Sequence, residues 1–278
     1  MSDKYIHLSW LQLGLASTLI VITAVLSLVL QLGLTRRLLI ASVRMVLQLI
    51  MIGLVLRWVF GLNQWPAVAS LIAAMSLIGG IAAVQQTNRM FPGIWLNSIV
   101  SVVVSSWIIL FTALVVVVRV HPWYTPQYAV PLAGMILGNT LNGVALSLDR
   151  FGEELVLNRN RIEGLLALGA TGKEAAMLPM RKALETGMLP TINMMMVAGI
   201  VTLPGTMTGQ MLAGVDPLSA VRYQIVILFL LVAATALGTA GVILLSYRRL
   251  FNSRHQFLYW LITTPQQNVL AKLFSPSR

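Results

Sequence analysis

The chain has 278 residues, of which 58% are hydrophobic and only 10% charged, with a mean hydropathy of +0.85. A soluble domain carries about 25% charged residues, so the composition excludes one and favours a single membrane domain with short connections. The absence of cysteine excludes disulfides, thiolate metal sites and cysteine catalysis. The net charge of +11 comes from basic residues between and after apolar runs, which is how orientation signals are placed and speaks against a nucleic-acid partner.

The apolar runs predict an all-α polytopic membrane protein, each run being near the roughly 20 residues that a bilayer core requires. The first, 8–34, exceeds the apolar region of a secretory signal, usually about 7–15 residues, and lacks a small-residue cleavage site, so it reads as a span. Six more follow at 38–60, 66–84, 94–118, 129–148, 187–213 and 222–246, about seven transmembrane helices in total. Pro66, Pro92, Pro122, Pro126 and Pro217 fall in the gaps, and Trp10, Trp58, Trp65, Trp95 and Trp123 mark span ends. On this division fifteen Lys and Arg, among them Arg36, Arg44, Arg89, Arg150, Arg248, Arg249, Lys272 and Arg278, gather on one side. Only Lys4, Arg57, Arg119 and Arg222 lie on the other. The positive-inside bias then puts the N-terminus outside and the C-terminus in the cytoplasm. The expected organisation is a permease domain over 1–246, with a cytoplasmic segment 149–186 inserted, and a basic tail over 247–278.

Six of the eight acids, Asp149, Glu153, Glu154, Glu163, Glu174 and Glu185, lie in the segment between spans five and six. There Leu155, Ile162, Leu165, Leu166 and Leu168 interleave with Glu153, Arg159, Arg161 and Glu163 as on an amphipathic helix. Gly169 and Gly172 predict its end, with helix resuming from Lys173. The chain has no ATP site of its own. Around Gly172-Lys173 the phosphate-loop pattern fails twice, with Glu174 in place of Ser or Thr and Ala167 in place of Gly. No Asp, Glu, Lys or His lies deep in a predicted span, which argues against proton coupling and leaves a Na⁺ site of hydroxyl and carbonyl oxygens open. Uphill transport would therefore draw on a partner.

Span six is the least ordinary. It holds Pro190, Gly199, Pro204, Gly205 and Gly209 with Thr191, Asn193, Thr202, Thr206, Thr208 and Gln210. Leu203-Pro204-Gly205 removes a backbone donor, and freed backbone at membrane depth is tolerated only against protein or a water-lined cavity, so a broken, path-lining helix is expected. In span five Gly134 and Gly138 have the spacing of a close helix contact, and Asn139 and Asn142 serve either as interhelical hydrogen bonders or as path lining. Met194, Met195 and Met196 point in different directions on a helix and read as packing rather than as ligands for a soft cation.

Glu163-Gly164-Leu165, followed after three residues by Gly169-Ala170-Thr171, resembles the start of the Glu-Ala-Ala loop of ABC importer permeases, which seats a short helix in a groove of the ATPase. Gly164-Leu165 replaces Ala-Ala and Pro179 is displaced, so an interfacial helix with a glycine stop stands beside that reading. Several segments in order resemble the permease subunit of bacterial Fet-type iron-export ABC transporters, a family related to plant aluminium-tolerance ABC permeases. They are Arg44 with Gln48-Leu49 and Gly53; Pro131-Leu132-Ala133-Gly134-Met135 with Gly138-Asn139; Leu168-Gly169-Ala170-Thr171; Pro190-Thr191; Gly199 with Val201-Thr202-Leu203-Pro204-Gly205; Met207-Thr208-Gly209; Gly214 with Asp216-Pro217; Tyr223-Gln224; and Tyr247-Arg248-Arg249 through Gln256. The resemblance implies a permease homodimer in the bacterial inner membrane, iron export, and a separate cytoplasmic ABC ATPase that binds ATP and Mg. Glu163, Leu168, Gly169, Ala170 and Thr171 would then couple to it. Asn139, Asn142, Thr191, Asn193, Pro204, Gly205 and Gln210 would line the path, with no metal ligands assigned. Some members of that family carry Asp and Lys where this chain has Asn193 and Met196. An ion-gradient-driven transporter or channel, and a non-transporting membrane scaffold, are the alternative readings. An intramembrane enzyme is disfavoured, because the spans hold no His-Glu cluster and no Ser–His or Asp–Asp pair.

Overall fold

Backbone N–H and C=O groups in hydrocarbon must be satisfied within the protein, and a helix does this along its own length. The computed structural model describes residues 10–62, 64–252 and 254–263, and in them apolar sequence is helical. Lys4, Lys272 and Arg278 of the charge bias, Ser253 and the tail from 264 onward lie outside the described residues.

The chain divides into two parts, 1–62 and 63–278. In the first, α1 (Trp10–Val29) and α2 (Thr35–Leu62) pack as a hairpin. Gln31 and Gly33 turn the chain with left-handed backbone, and the Thr35 hydroxyl donates to the Ala24 carbonyl across the hairpin (3.3 Å). The second part holds α3 (Trp65–Gln85), α4 (Ile94–Phe111) with a π-helical continuation Thr112–Val117, α5 (Pro126–Leu157), α6 (Arg159–Ala167), α7 (Gly172–Val197), α8 (Gly205–Leu212), α9 (Pro217–Leu250) and a 3-10 turn Tyr259–Leu261. α5 is central, packing on α3, α4, α7 and α9.

Among the described residues five helices are long and apolar enough to cross a membrane: α2, α3, α4 with its π-helical end, α5 and α9. The boundaries of the fifth and sixth expected spans change. α5 continues through the charges from Asp149 to Glu154 as far as Leu157, because charged side chains do not end a helix whose backbone bonds are intact. The expected span 187–213 is two helices: its first half is the end of α7, which begins at Gly172, and the helix stops at Val197 before α8 starts at Gly205.

Small residues set the helix spacing in the second part. A Cβ on Gly80 would lie 2.6 Å from the Ile99 Cα, one on Gly187 2.6 Å from the Gly143 carbonyl oxygen, and one on Gly238 2.6 Å from a Thr140 methyl. These are the close approaches by which membrane helices gain van der Waals contact. Some interleaved hydroxyls bond back along their own helices, as Ser76 does to Ile72, Thr235 to Leu231, Thr239 to Thr235 and Ser246 to Val242, whereas those of Ser101, Ser106, Thr140 and Ser147 are buried without a partner. The predicted packing pair is more open: Gly134 faces the Met75 methyl at 3.7 Å, and nothing lies within 4 Å of a Cβ on Gly138.

Candidate functional site

The charged segment forms a hairpin of α6 and α7 whose turn is closed from both sides. Gly169, at φ +90°, takes the left-handed position that ends α6. Its N–H bonds the Leu166 carbonyl (3.1 Å) and the Ala170 N–H bonds the Leu165 carbonyl (3.0 Å), which satisfies carbonyls that the helix end would otherwise leave free. Thr171 then opens α7. Its hydroxyl accepts from the Glu174 N–H (3.3 Å), while the Glu174 carboxylate accepts from the Thr171 N–H (2.7 Å) and hydroxyl (2.8 Å). The backbone and side-chain bonds from Thr171 hold the Glu174 carboxyl below its ordinary value. Between these caps Leu168 is 87% exposed, an apolar side chain presented at the turn. Glu163 pairs with Arg159 one turn back (2.8 Å), and Ala170 is half-buried.

The hairpin is tied to the bundle at two levels. The first is Glu154, near the end of α5 and only 1% exposed. It pairs with Arg150 on its own helix (2.5 Å) and with Lys182 on α7 (3.2 Å), and it accepts from the Asn158 amide (2.8 Å). A buried carboxylate with those partners clamps α7 to α5. The second tie is the chain after α9, which folds back as a strap. Phe257 stacks on Phe251, and Phe251 on Tyr247, with ring centroids 5.1 Å apart in each pair. The Gly172 N–H donates to Nδ1 of His255 (3.2 Å), and the Arg159 guanidinium lies 3.4 Å from the centre of the Tyr259 ring. Gly172 makes this contact close, since a Cβ there would stand 3.1 Å from the Phe251 ring and 3.2 Å from the Tyr247 hydroxyl, and those side chains would have to shift slightly. Strand-like bonds between Thr263 and Met90 pin the strap to the α3–α4 loop.

At the other end of α7 the expected break is present, centred on Gly199 rather than on Pro204. Gly199 turns at φ +83°, the Val201 and Thr202 N–H groups both bond the Val197 carbonyl, and Gly199 N–H bonds Thr202. Pro204 caps α8 and Gly205 is its first residue. α8 has no buried residue; the Thr206 hydroxyl ties it to Gln224 of α9, and Gln210 is half-buried.

The other predicted path residues divide. Thr191 is buried in the bundle while Asn193 is exposed on another face of α7. On α5, Asn139 donates to the Met135 carbonyl (3.0 Å) and Asn142 is exposed. Sequence reasoning missed Glu154, Lys182, His255 and Tyr259. Only the Arg150–Glu154 spacing carried a local signal, since the other partners lie on separate elements. Among the described residues no group of three or more His, Cys, Asp or Glu is placed to hold a metal.

The sequence pattern of the uncharacterised protein family UPF0014 matches residues 10–251. The chain is 39% identical to the UPF0014 membrane protein slr1647 of Synechocystis over 262 residues, 93% of this chain and 100% of that protein. It is 31% identical to the probable iron export permease protein FetB of Escherichia coli over 249 residues, 88% of this chain and 93% of that protein. It is 34% identical to the UPF0014 membrane protein STAR2 of rice over 227 residues, 81% of this chain and 78% of that protein. No solved structure is significantly similar.

Proposed function

The chain belongs to the UPF0014 family of membrane proteins, and from that premise we propose that it is the permease subunit of an ABC-type transporter that exports a metal ion, iron being the favoured cargo. In this reading two copies form the membrane unit, and a separate cytoplasmic ATPase binds ATP and Mg. The observation that carries it is the α6–α7 hairpin. A turn capped on both sides, clamped by Glu154–Lys182 and strapped by His255, is stiff enough to transmit force, and its most exposed apolar side chain, Leu168, is what a groove on a partner would bury. The cargo is read from the similarity to FetB.

The homodimer is supported by the polar side chains turned outward at membrane depth. Asn142 of α5 and Asn193 of α7 are both exposed, and Gly138 on α5 has open space where a side chain would stand. Asn facing hydrocarbon is costly, whereas facing a second copy or a hydrated path it finds partners. Asn139, Asn142, Thr191, Asn193, Pro204, Gly205 and Gln210 remain the proposed path residues, and the broken segment between α7 and α8 is where non-helical backbone requires such a lining. The hairpin end is cytoplasmic in this reading, as the basic residues there favour, and the membrane is the bacterial inner membrane.

The test is association with a purified ABC-type ATPase and ATP-driven Fe²⁺ movement into inside-out vesicles. Burying a leucine is worth about 1.5–3 kcal/mol, so Leu168→Asp should weaken association by roughly tenfold to a hundredfold and reduce transport with it. If Leu168→Asp and Gly169→Ala left both association and transport unchanged, the hairpin would not be the docking element.

A further inference from the structure

Where α4 begins and α9 ends, two helix faces meet in a groove of about 340 Å³ lined by Leu96, Asn97 and Val100 of α4 and Leu245, Arg248 and Arg249 of α9. Both helices are long and apolar enough to span a bilayer, and the proposed function has this shared end, where α4 begins, at the membrane boundary. Trp95, exposed beside it, is the residue type that gathers there.

The groove has an excess of donors and positive charge. Among the described residues neither Arg248 nor Arg249 has an ion-pair partner. Arg249 lies over Gly93, the N-cap of α4, its Nε 3.2 Å from where a Cβ would stand, so its cation faces the positive end of the α4 dipole. The last turn of α9 favours basic residues through its own dipole. Asn97 is 3% exposed, and its side-chain amide nitrogen is buried without a hydrogen-bond partner; of the six such side-chain atoms among the described residues it is the one at this groove. Two guanidiniums, an orphaned amide and a helix N-terminus converge on one place, and what they lack is an anion with several acceptor oxygens. Leu96 and Val100, exposed along α4 in the same groove, give it an apolar wall, which a free ion would not use.

We propose that this groove binds an anionic phospholipid, its phosphate between Arg248 and Arg249 and its acyl chain along Leu96 and Val100. The Asn97 amide turns about its terminal bond to donate to a phosphate oxygen. Basic pockets between spanning helices at a membrane boundary hold lipid headgroups by this chemistry.

The test uses the full chain in detergent, followed by native mass spectrometry during titration with dioleoylphosphatidylglycerol, dioleoylphosphatidylcholine or inorganic phosphate. Wild type is expected to retain phosphatidylglycerol in preference to phosphatidylcholine. Either Arg248→Gln or Arg249→Gln should weaken that binding about fivefold, and the two together about thirtyfold, while Arg222→Gln at the opposite end of α9 leaves it unchanged. Should the double variant fail to fold, the single variants decide. Equal retention of the two lipids, unaltered binding in both single variants, or inorganic phosphate binding as tightly as the lipid would overturn the proposal.

Discussion

Replacing Gly187 with Ala tests whether the α5–α7 crossing is as close as the structure has it. A methyl group there overlaps the Ser147 hydroxyl, lies 2.6 Å from the Gly143 carbonyl oxygen and 3.0 Å from the Thr239 methyl. The hydroxyl can rotate away, but the carbonyl belongs to the backbone of α5 and moves only if the helix moves. In isolation Ala is the better helix former by about 1 kcal/mol. Overpacking costs about 1–3 kcal/mol, and a backbone obstacle places this case at the upper end. The net expectation is a loss of about 2 kcal/mol, read from reversible unfolding in mixed micelles with retained helicity as the check on fold. Adding Ser147→Ala should recover only part of it, because the carbonyl contact remains. Gly138→Ala, where a Cβ meets open space, should not destabilise the single chain. A Gly187→Ala protein as stable as wild type, or more so, would mean that the two helices do not cross this closely.

The other expectations concern the hairpin. Removing one partner of a fully buried ion pair costs about 3–5 kcal/mol, but Lys182 and Arg150 are partly exposed and can hydrate, so Glu154→Gln should cost about 2 kcal/mol. A double-mutant cycle with Lys182→Met should show a coupling of about 1 kcal/mol, and additive effects would dissolve the clamp. Thr171→Ala removes the N-cap acceptor of α7 and should cost about 1 kcal/mol, seen as faster amide exchange in the first turn of that helix. Because Glu174 is held below its ordinary value, its contribution is complete above the usual carboxylate range and is lost as pH falls through the lowered value. Exchange protection at the start of α7 should therefore be constant from neutral to mildly acidic pH and fall only in stronger acid. In Glu174→Gln that acid-dependent step should be absent.

Much of the fold was legible because a bilayer makes helix the default for any long apolar run. The proline positions could have been read more closely: Pro66, Pro126 and Pro217 occupy the first turns of α3, α5 and α9, where a missing N–H costs nothing. Pro179 and Pro190 lie inside α7 without ending it. Boundaries at the charged segment were less legible, since Asp149 to Glu154 read as leaving the membrane, which says nothing about leaving the helix. At the candidate site Gly169 and Thr171 announced the hairpin turn through local rules of stop and cap. Glu154 did not announce itself. Among six acids in one stretch it alone reaches Lys182, and that pairing depends on where α7 crosses α5. The same holds for the glycines: Gly134 and Gly138 carry a recognisable spacing, whereas Gly143 and Gly187 become a pair only when two helices meet. The His255–Gly172 contact, between residues far apart in sequence, had no signal that a local pattern could carry.

In the proposed function the hairpin receives work from a nucleotide-hydrolysing partner, and reconstitution measures this most directly. The purified chain is placed in sealed liposomes with Fe²⁺ on one side, with an imposed proton or Na⁺ gradient, and separately with an ABC-type ATPase and ATP-Mg. Accumulation against the Fe²⁺ gradient is predicted only when the ATPase and ATP are both present, and it should fall when Leu168 is replaced by Asp. Uphill accumulation by the chain alone, driven by either ion gradient, would contradict it.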